Sequence, residues 1–216
     1  MVVEALIKHN RPGTQLQPRT VTVHNTANPD TTARNNRDYF SNHANARVST
    51  HYVVDDREII RCIPEAEVSW HAGTIANRSS ISIEVCEFTD EERQEQANQQ
   101  AARLVADILT RYGWRLEQIK THRDWTGKYC PRKLLPMWDE FLSMVRSQLP
   151  DPGPDQASSD PLHVAVQALQ AHGLISTPDY WLQVARADQA AKGEYVYMLI
   201  IRMAQYLEQG GGNLGV

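Results

Sequence analysis

The stretch "SSISIEVCEF", residues 79–88, alternates apolar and polar side chains with the period of a β-strand. Glu84 falls on the polar face, opposite the aliphatic residues. Residues 89–113 follow with a helical pattern that opens with an N-capping Thr or Asp and an acidic first turn and stops at Gly113. The segment is therefore predicted to form a strand that leads directly into a long helix.

Other segments extend this pattern to either side. Strand patterns occur at residues 20–27, 50–56 and 57–63. The last two are joined by an Asp-Asp-Arg connection typical of a hairpin. Helices are predicted over residues 31–45, with Asp30 or Thr31 as N-cap, and over residues 135–149.

The composition changes sharply after residue 149. We predict a catalytic domain over residues 1–149 and a linker rich in Pro, Gly, Ser and Asp over 150–160. Three helical patterns then form a small all-α domain at 161–209, followed by a flexible tail at 210–216. A domain of this size can bury only a small hydrophobic core. We therefore expect it to bury its aromatic residues or to pack on something else.

Composition excludes several classes of protein. The 216 residues carry a net charge of -4 without a basic stripe, which argues against nucleic-acid binding. No apolar run approaches the roughly 18 residues of a membrane-spanning helix. The N-terminus lacks the pattern of a secretory signal peptide. Cys62 and Cys86 lie in apolar, strand-like runs and are expected to be buried, and three cysteines do not form a disulfide framework.

The stretch "THRDWTGKYCP", residues 121–131, concentrates groups that bind metals or take part in catalysis. It places His122 and Cys130 in what we predict to be a polar loop, and His24 at the end of a strand is the best candidate for a third ligand. Two imidazoles and one thiolate suit zinc and leave a fourth position for water. From spacing alone, two alternatives stay open: each residue acts by itself, or Cys130 is a nucleophile. Pro131 disfavours the nucleophile because it has no N–H to hold an oxyanion.

Five stretches of the chain form a recognisable series: "VTVHNTANPD", "STHYVVDD", "IRCIPEAEVSWHAG", "SISIEVCEF" and "THRDWTGKYCP". In order and spacing they resemble zinc-dependent N-acetylmuramoyl-L-alanine amidases of the amidase-2 family, which share their fold with peptidoglycan recognition proteins. The resemblance covers residues 1–148 and is greatest to amidases of Gram-positive bacteria and to the endolysins of their phages. It implies an α/β fold with a central mixed β-sheet flanked by helices.

The resemblance also implies roles for individual residues. It makes His24, His122 and Cys130 the ligands of one zinc ion per chain. It makes Glu84 the catalytic base and Lys128 the group that steadies the reacting carbonyl. The residues expected to contact substrate are His71, Trp70 and Asn25.

Further expectations concern Thr50, Asp124 and His51. Some family members place a catalytic Tyr before the His-aromatic pair of the third strand, where this chain has Thr50, so Glu84 is expected to carry the proton transfer alone. Asp124 is expected to orient a zinc-ligating histidine without itself contacting the zinc. His51 is expected to be structural.

The activity implied by the resemblance is hydrolysis of the amide between the lactyl group of N-acetylmuramic acid and L-alanine in peptidoglycan. The alternative is a peptidoglycan-binding module without hydrolytic activity. The expected partner is peptidoglycan, with no nucleic acid and no membrane. The helical domain is expected to target the cell wall or to form homo-oligomers. An endolysin-like protein would be made in the cytoplasm and act on the wall after release.

Overall fold

The computed structural model describes residues 2–150, 161–186 and 191–208. The chain divides into two compact units, Met1–Pro150 and Asp151–Val216. The first unit is built on a six-stranded sheet with the strand order β1-β4-β3-β5-β2-β6. Its strands are β1 (Val2–Glu4), β2 (Thr20–Asn25), β3 (Tyr52–Val54), β4 (Ile59–Arg61), β5 (Ser80–Val85) and β6 (Ile119–Thr121).

The sheet is mixed, as predicted. Strands β3 and β4 pair antiparallel, which confirms the hairpin, and every other neighbouring pair is parallel. The Asp55 carboxylate closes the hairpin by accepting from the backbone N–H groups of Arg57 and Glu58, both at 2.8 Å. Its other oxygen accepts from Ala33 N at 2.8 Å, so the same side chain anchors the hairpin to the first helix.

The helices of this unit are α1 (Ala33–Asn42), α2 (Thr74–Asn77), α3 (Glu91–Tyr112), α4 (His122–Thr126) and α5 (Trp138–Gln148). The long helix α3 begins and ends as predicted. Asp90 accepts from Arg93 N as N-cap, and Gly113 closes the helix in the left-handed conformation at φ 64°. Helix α3 contacts β5 and packs along α5, and α1 contacts β3 and β4.

Several predicted boundaries are wrong. Helix α1 is shorter than 31–45, and its N-cap is Thr32, which forms a capping box with Asn35. Asp30 instead accepts from the N–H and hydroxyl groups of Thr89. The predicted helix 135–149 opens with a 3-10 turn, Leu135–Met137. The strands β1 and β6 were not predicted, because three residues are too few to show a period.

The central strands are buried on both sides of the sheet. Val21 and Val23 of β2 and Ile81 and Ile83 of β5 have no exposed surface. Parallel strands in the middle of a sheet are covered on both faces, so the polar side chains among them are buried as well. Such polar groups need partners or a function.

The second unit contains the three predicted helices, α6 (Pro161–Ala171), α7 (Pro178–Arg186) and α8 (Gly193–Glu208). Tyr180 lies with its ring centroid 4.6 Å from that of Tyr195, whereas Tyr197 is 64% exposed and so is not buried with them. The predicted tail 210–216 lies outside the described residues, as does the predicted linker apart from residue 150. Among the helices described, none has both the length and the apolar character needed to cross a bilayer.

Candidate metal centre

His24 lies near the end of β2, between β5 and β6, and is 1% exposed. The side chain therefore lies at the carboxyl ends of the parallel strands, a usual place for functional groups in a parallel sheet. Burial is the main cause that lowers the pKa of His24 well below its ordinary value, and the neighbouring His71 and His122 add to the effect. The neutral imidazole that results is the form able to bind a metal.

The next strand, β6, runs directly into α4, so the predicted loop begins as a short helix. Thr121 is the N-cap: its hydroxyl accepts from Asp124 N, and its own N–H and hydroxyl donate to the Asp124 carboxylate. This capping box fixes the turn and makes His122 the first residue of the helix. The Trp125 indole N–H donates to the Thr22 hydroxyl at 2.9 Å, which ties α4 to β2.

Cys130 follows α4 after the chain turns at Gly127, which adopts φ 78°. Its carbonyl accepts from Arg123 N at 3.1 Å, so the returning segment is joined to the helix that carries His122. Cys130 is 6% exposed. Burial raises the pKa of its thiol to about 11, while the backbone N–H of Asn25 and the charge of Lys128 act in the opposite direction. A bound cation would hold the thiolate.

These three side chains converge on one point. His24 Nδ1 lies 3.2 Å from His122 Nδ1 and 3.7 Å from Cys130 Sγ. All the ligand atoms of the cluster lie within 4.8 Å of one another. A tetrahedral zinc ion with ordinary bond lengths separates two nitrogens by about 3.3 Å and a nitrogen from a sulfur by about 3.6 Å. The donor set therefore fits a metal ion in both chemistry and spacing.

Glu84 lies beside this cluster on the neighbouring strand, where it is the direct register partner of His24. Its Oε2 is buried and has no hydrogen-bond partner among the described residues. Burial raises the pKa of Glu84 to about 8, and the nearby Lys128 opposes that shift. A carboxylate with a free oxygen and a raised pKa is able to accept and release a proton near neutral pH.

Lys128 is exposed, in the segment between α4 and Cys130. Its positive charge lowers the pKa values of Glu84 and Cys130. It also lowers those of both histidines in the cluster. The five residues predicted for metal binding and catalysis thus meet at one end of the sheet.

The structure gives specific partners to the remaining predicted residues. His71 is partly exposed, and its Nδ1 lies 3.0 Å from His24 Nε2. Asn25 is buried: its amide donates to Val85 O at 3.2 Å and accepts from Lys133 N at 2.9 Å. Trp70 is partly buried, and its backbone pairs with Ser49.

Asp124 lies next to His122 in the chain, but its carboxylate is engaged by the N–H and hydroxyl of Thr121 at 2.7 and 2.8 Å. It therefore secures the turn that carries the histidine and not the histidine ring. The expected role of Asp124 in orienting a zinc-ligating histidine stays a prediction.

Sequence reasoning missed an ion pair between the buried Glu87 and the exposed Arg132, which holds the cysteine segment. Glu87 has no exposed surface, and both its oxygens accept from Arg132 Nε, at 2.8 and 2.9 Å. This pair attaches the chain just after Cys130 to the segment that follows β5. No pattern in the sequence singles out Glu87, because it is one of many charged residues until the fold buries it.

Comparisons with known proteins identify the family of the chain. Residues 14–133 match the N-acetylmuramoyl-L-alanine amidase family. The amidase CwlH of Bacillus subtilis is 38% identical over 144 residues, which cover 64% of this chain and 57% of CwlH. The amidase CwlA of the same species is 32% identical over 159 residues, 68% of this chain and 58% of CwlA.

A solved structure shows the same fold. The catalytic domain of XlyA aligns with a TM-score of 0.63 at 36% identity, over 67% of this chain and 99% of that domain. This chain thus spans little more than half the length of CwlH and CwlA but almost all of a solved catalytic domain. The fold, the converging donors and the match over residues 14–133 lead to one conclusion: the chain belongs to the N-acetylmuramoyl-L-alanine amidase family.

Proposed function

We propose that the chain is a zinc-dependent amidase that hydrolyses the bond between the lactyl group of N-acetylmuramic acid and L-alanine in peptidoglycan. His24, His122 and Cys130 would hold one zinc ion. Two imidazoles and one thiolate match the borderline-soft character of zinc, and three protein ligands are typical of catalytic sites, whereas structural sites usually have four. When bound, zinc supplies a Lewis acid at the point where the three donors converge.

Glu84 is the group proposed to move the proton. Its unpartnered Oε2 would take a proton from the attacking water and deliver it to the departing nitrogen of L-alanine. The raised pKa supports this role because the proton must be both accepted and released during one turnover.

Lys128 is the group proposed to stabilise negative charge on the carbonyl oxygen of the scissile amide. It is exposed, so its ammonium group is free to approach a bound substrate, and its charge already acts on Glu84. One such donor typically contributes about 3 kcal/mol to lowering the barrier.

The observation that carries this proposal is the meeting of a three-donor metal cluster with a carboxylate on the adjacent strand, one of whose oxygens is buried and unpartnered among the described residues. The test is incubation of the purified chain with cell walls, followed by analysis of the newly formed groups. An amidase releases peptides with free L-alanine amino groups and forms no new reducing sugars.

A chelator should abolish this release, and added zinc should restore it. Wall binding without release of L-alanine amino groups would reject the amidase in favour of a binding module. Release that persists after complete metal removal would reject zinc dependence and favour a hydrolase that uses the Cys130 thiol as nucleophile.

The second unit is proposed to attach the enzyme to the cell wall. Its helix α8 exposes apolar side chains, including Tyr197 and Ile200 at 64% and 61%, which suits contact with another surface. Wall sedimentation of the full chain and of a chain ending at residue 150 tests this role. Equal binding would instead favour oligomerisation, which analytical ultracentrifugation of the same two proteins measures.

A further inference from the structure

Both ring nitrogens of His24 have neighbours, and the two neighbours differ in kind. Nδ1 faces the metal cluster, 3.2 Å from His122 Nδ1 and 3.7 Å from Cys130 Sγ. Nε2, on the other side of the ring, lies 3.0 Å from His71 Nδ1. The rings of His24 and His71 meet edge to face, at an angle of 83°.

Metal binding allows only one direction for this hydrogen bond. A neutral imidazole carries one proton, and Nδ1 of His24 must present a lone pair to a cation. The proton therefore resides on Nε2, which donates to Nδ1 of His71. If His71 donated instead, the proton of His24 would occupy Nδ1 and block coordination.

His71 is itself held for this task by the chain around it. Asn77 Oδ1 accepts from the backbone N–H groups of His71 and Ala72 at 2.8 and 3.0 Å. Gly73 then turns the chain with φ 86°, in the left-handed region that favours glycine. Asn77 of α2 thus fixes the backbone of His71 without the help of a substrate.

The remaining nitrogen of His71 argues against the role expected from the sequence. Nε2 is buried and makes no hydrogen bond of ordinary length within the described ranges, although the Ala76 carbonyl is near enough to raise the pKa of the ring. A shielded nitrogen is poorly placed to contact substrate. His71 also faces the Nε2 side of His24, away from the point where the three donors meet, so it is not a fourth ligand.

We infer that His71 is a positioning residue for the metal centre: by accepting a hydrogen bond from His24 Nε2, it selects the His24 tautomer that binds the cation through Nδ1. The inference rests on the metal site of the proposed function. It assigns to His71 a contact with the metal ligand His24 in place of the expected contact with substrate. Hydrogen-bond partners of metal ligands typically affect metal affinity by about 10- to 100-fold.

The test measures zinc affinity in the full chain by competition with a chromogenic chelator, without substrate. His71→Ala should weaken zinc binding by about 10- to 100-fold. His71→Asn should recover most of the affinity, because its Oδ1 can accept from His24 Nε2 where Nδ1 did. His9→Gln, which removes an exposed histidine, is the matched control and should bind zinc like the unmodified chain.

Cobalt substitution gives an independent reading of the same contact. The thiolate-to-cobalt absorption of His71→Ala should be shifted or weakened relative to that of His71→Asn. If His71→Ala does not fold, Asn77→Ala is measured instead. This change releases the backbone of His71 and should also weaken zinc binding.

Unchanged zinc affinity in His71→Ala, together with a raised KM for wall fragments, would overturn the inference and restore the substrate role while leaving the zinc amidase intact. Equal loss of affinity in the Ala and Asn variants would also overturn it, because a hydrogen-bond acceptor would then not matter. Absence of zinc binding by the unmodified chain would overturn both this inference and the proposed metal site.

Discussion

His24 and Glu84 are direct partners across the parallel strands β2 and β5, so their side chains emerge on the same face of the sheet. One is buried in the metal cluster and the other keeps a free, buried oxygen beside it. The strand pairing therefore sets the distance between His24 and the proposed base, without any flexible loop between them.

Replacing the proposed base should separate chemistry from metal binding. Glu84→Gln keeps the shape of the side chain but cannot accept a proton, so we expect turnover to fall by about 10²- to 10⁴-fold with zinc retained. Release of L-alanine amino groups and metal content measure the two effects. Glu140→Gln, on an exposed position of α5, is the control and should retain full turnover. A Glu84→Gln rate near that of the unmodified chain would remove Glu84 from the proton transfer.

Replacing a proposed ligand should remove both properties together. Cys130→Ser exchanges a thiolate for a hydroxyl, which is a much weaker zinc ligand, so metal content and turnover should both be lost. Cys62→Ser changes a buried cysteine that lies outside the cluster and should keep zinc. Retention of zinc by Cys130→Ser, measured by elemental analysis after dialysis, would contradict the ligand assignment.

The charge of Lys128 should matter for turnover more than for substrate affinity. Lys128→Met removes the cation proposed to meet the carbonyl oxygen and should lower kcat by about 10²- to 10³-fold. Lys128→Arg keeps the charge and should recover part of that loss. Lys8→Met removes an exposed lysine of the same unit and serves as control. A change confined to KM would assign Lys128 to binding of the wall fragment and not to the reaction.

His51 is one of the buried histidines that should weaken the fold on acidification. Its ring is buried among Ser69, Ser82 and the Glu67 carbonyl, and burial lowers its pKa from 6.5 to about 4. Below pH 6.5 His51 becomes protonated in the unfolded chain, whereas in the folded chain it stays neutral down to about pH 4. Stability due to the neutral ring is complete above pH 6.5 and falls across this window, by about 3 kcal/mol in total.

Urea unfolding at pH 7 and pH 4.5, with chelator present, measures this effect. His51→Gln lacks the titrating ring, so its stability should depend less steeply on pH than that of the unmodified chain. Parallel pH dependence in the two proteins would show that other groups govern acid unfolding.

Much of the site was predictable because its residues lie in short, distinctive motifs. His24, His122 and Cys130 each stand in such a motif, and long elements such as α3 carry enough periodicity to define their ends. The contact between His71 and His24 joins positions 47 residues apart and depends on how α2 packs, which no local pattern encodes. The same holds for Glu87, whose importance arises only when burial pairs it with Arg132.

The two edge strands of the sheet, β1 and β6, are each three residues long. A sheet edge offers unpaired backbone groups to which a second chain can add, and short edge strands limit that risk of aggregation. Lys120 at the centre of β6 adds a charge that discourages an incoming strand. Both edges of the first unit's sheet thus discourage pairing with the sheet edge of a second copy.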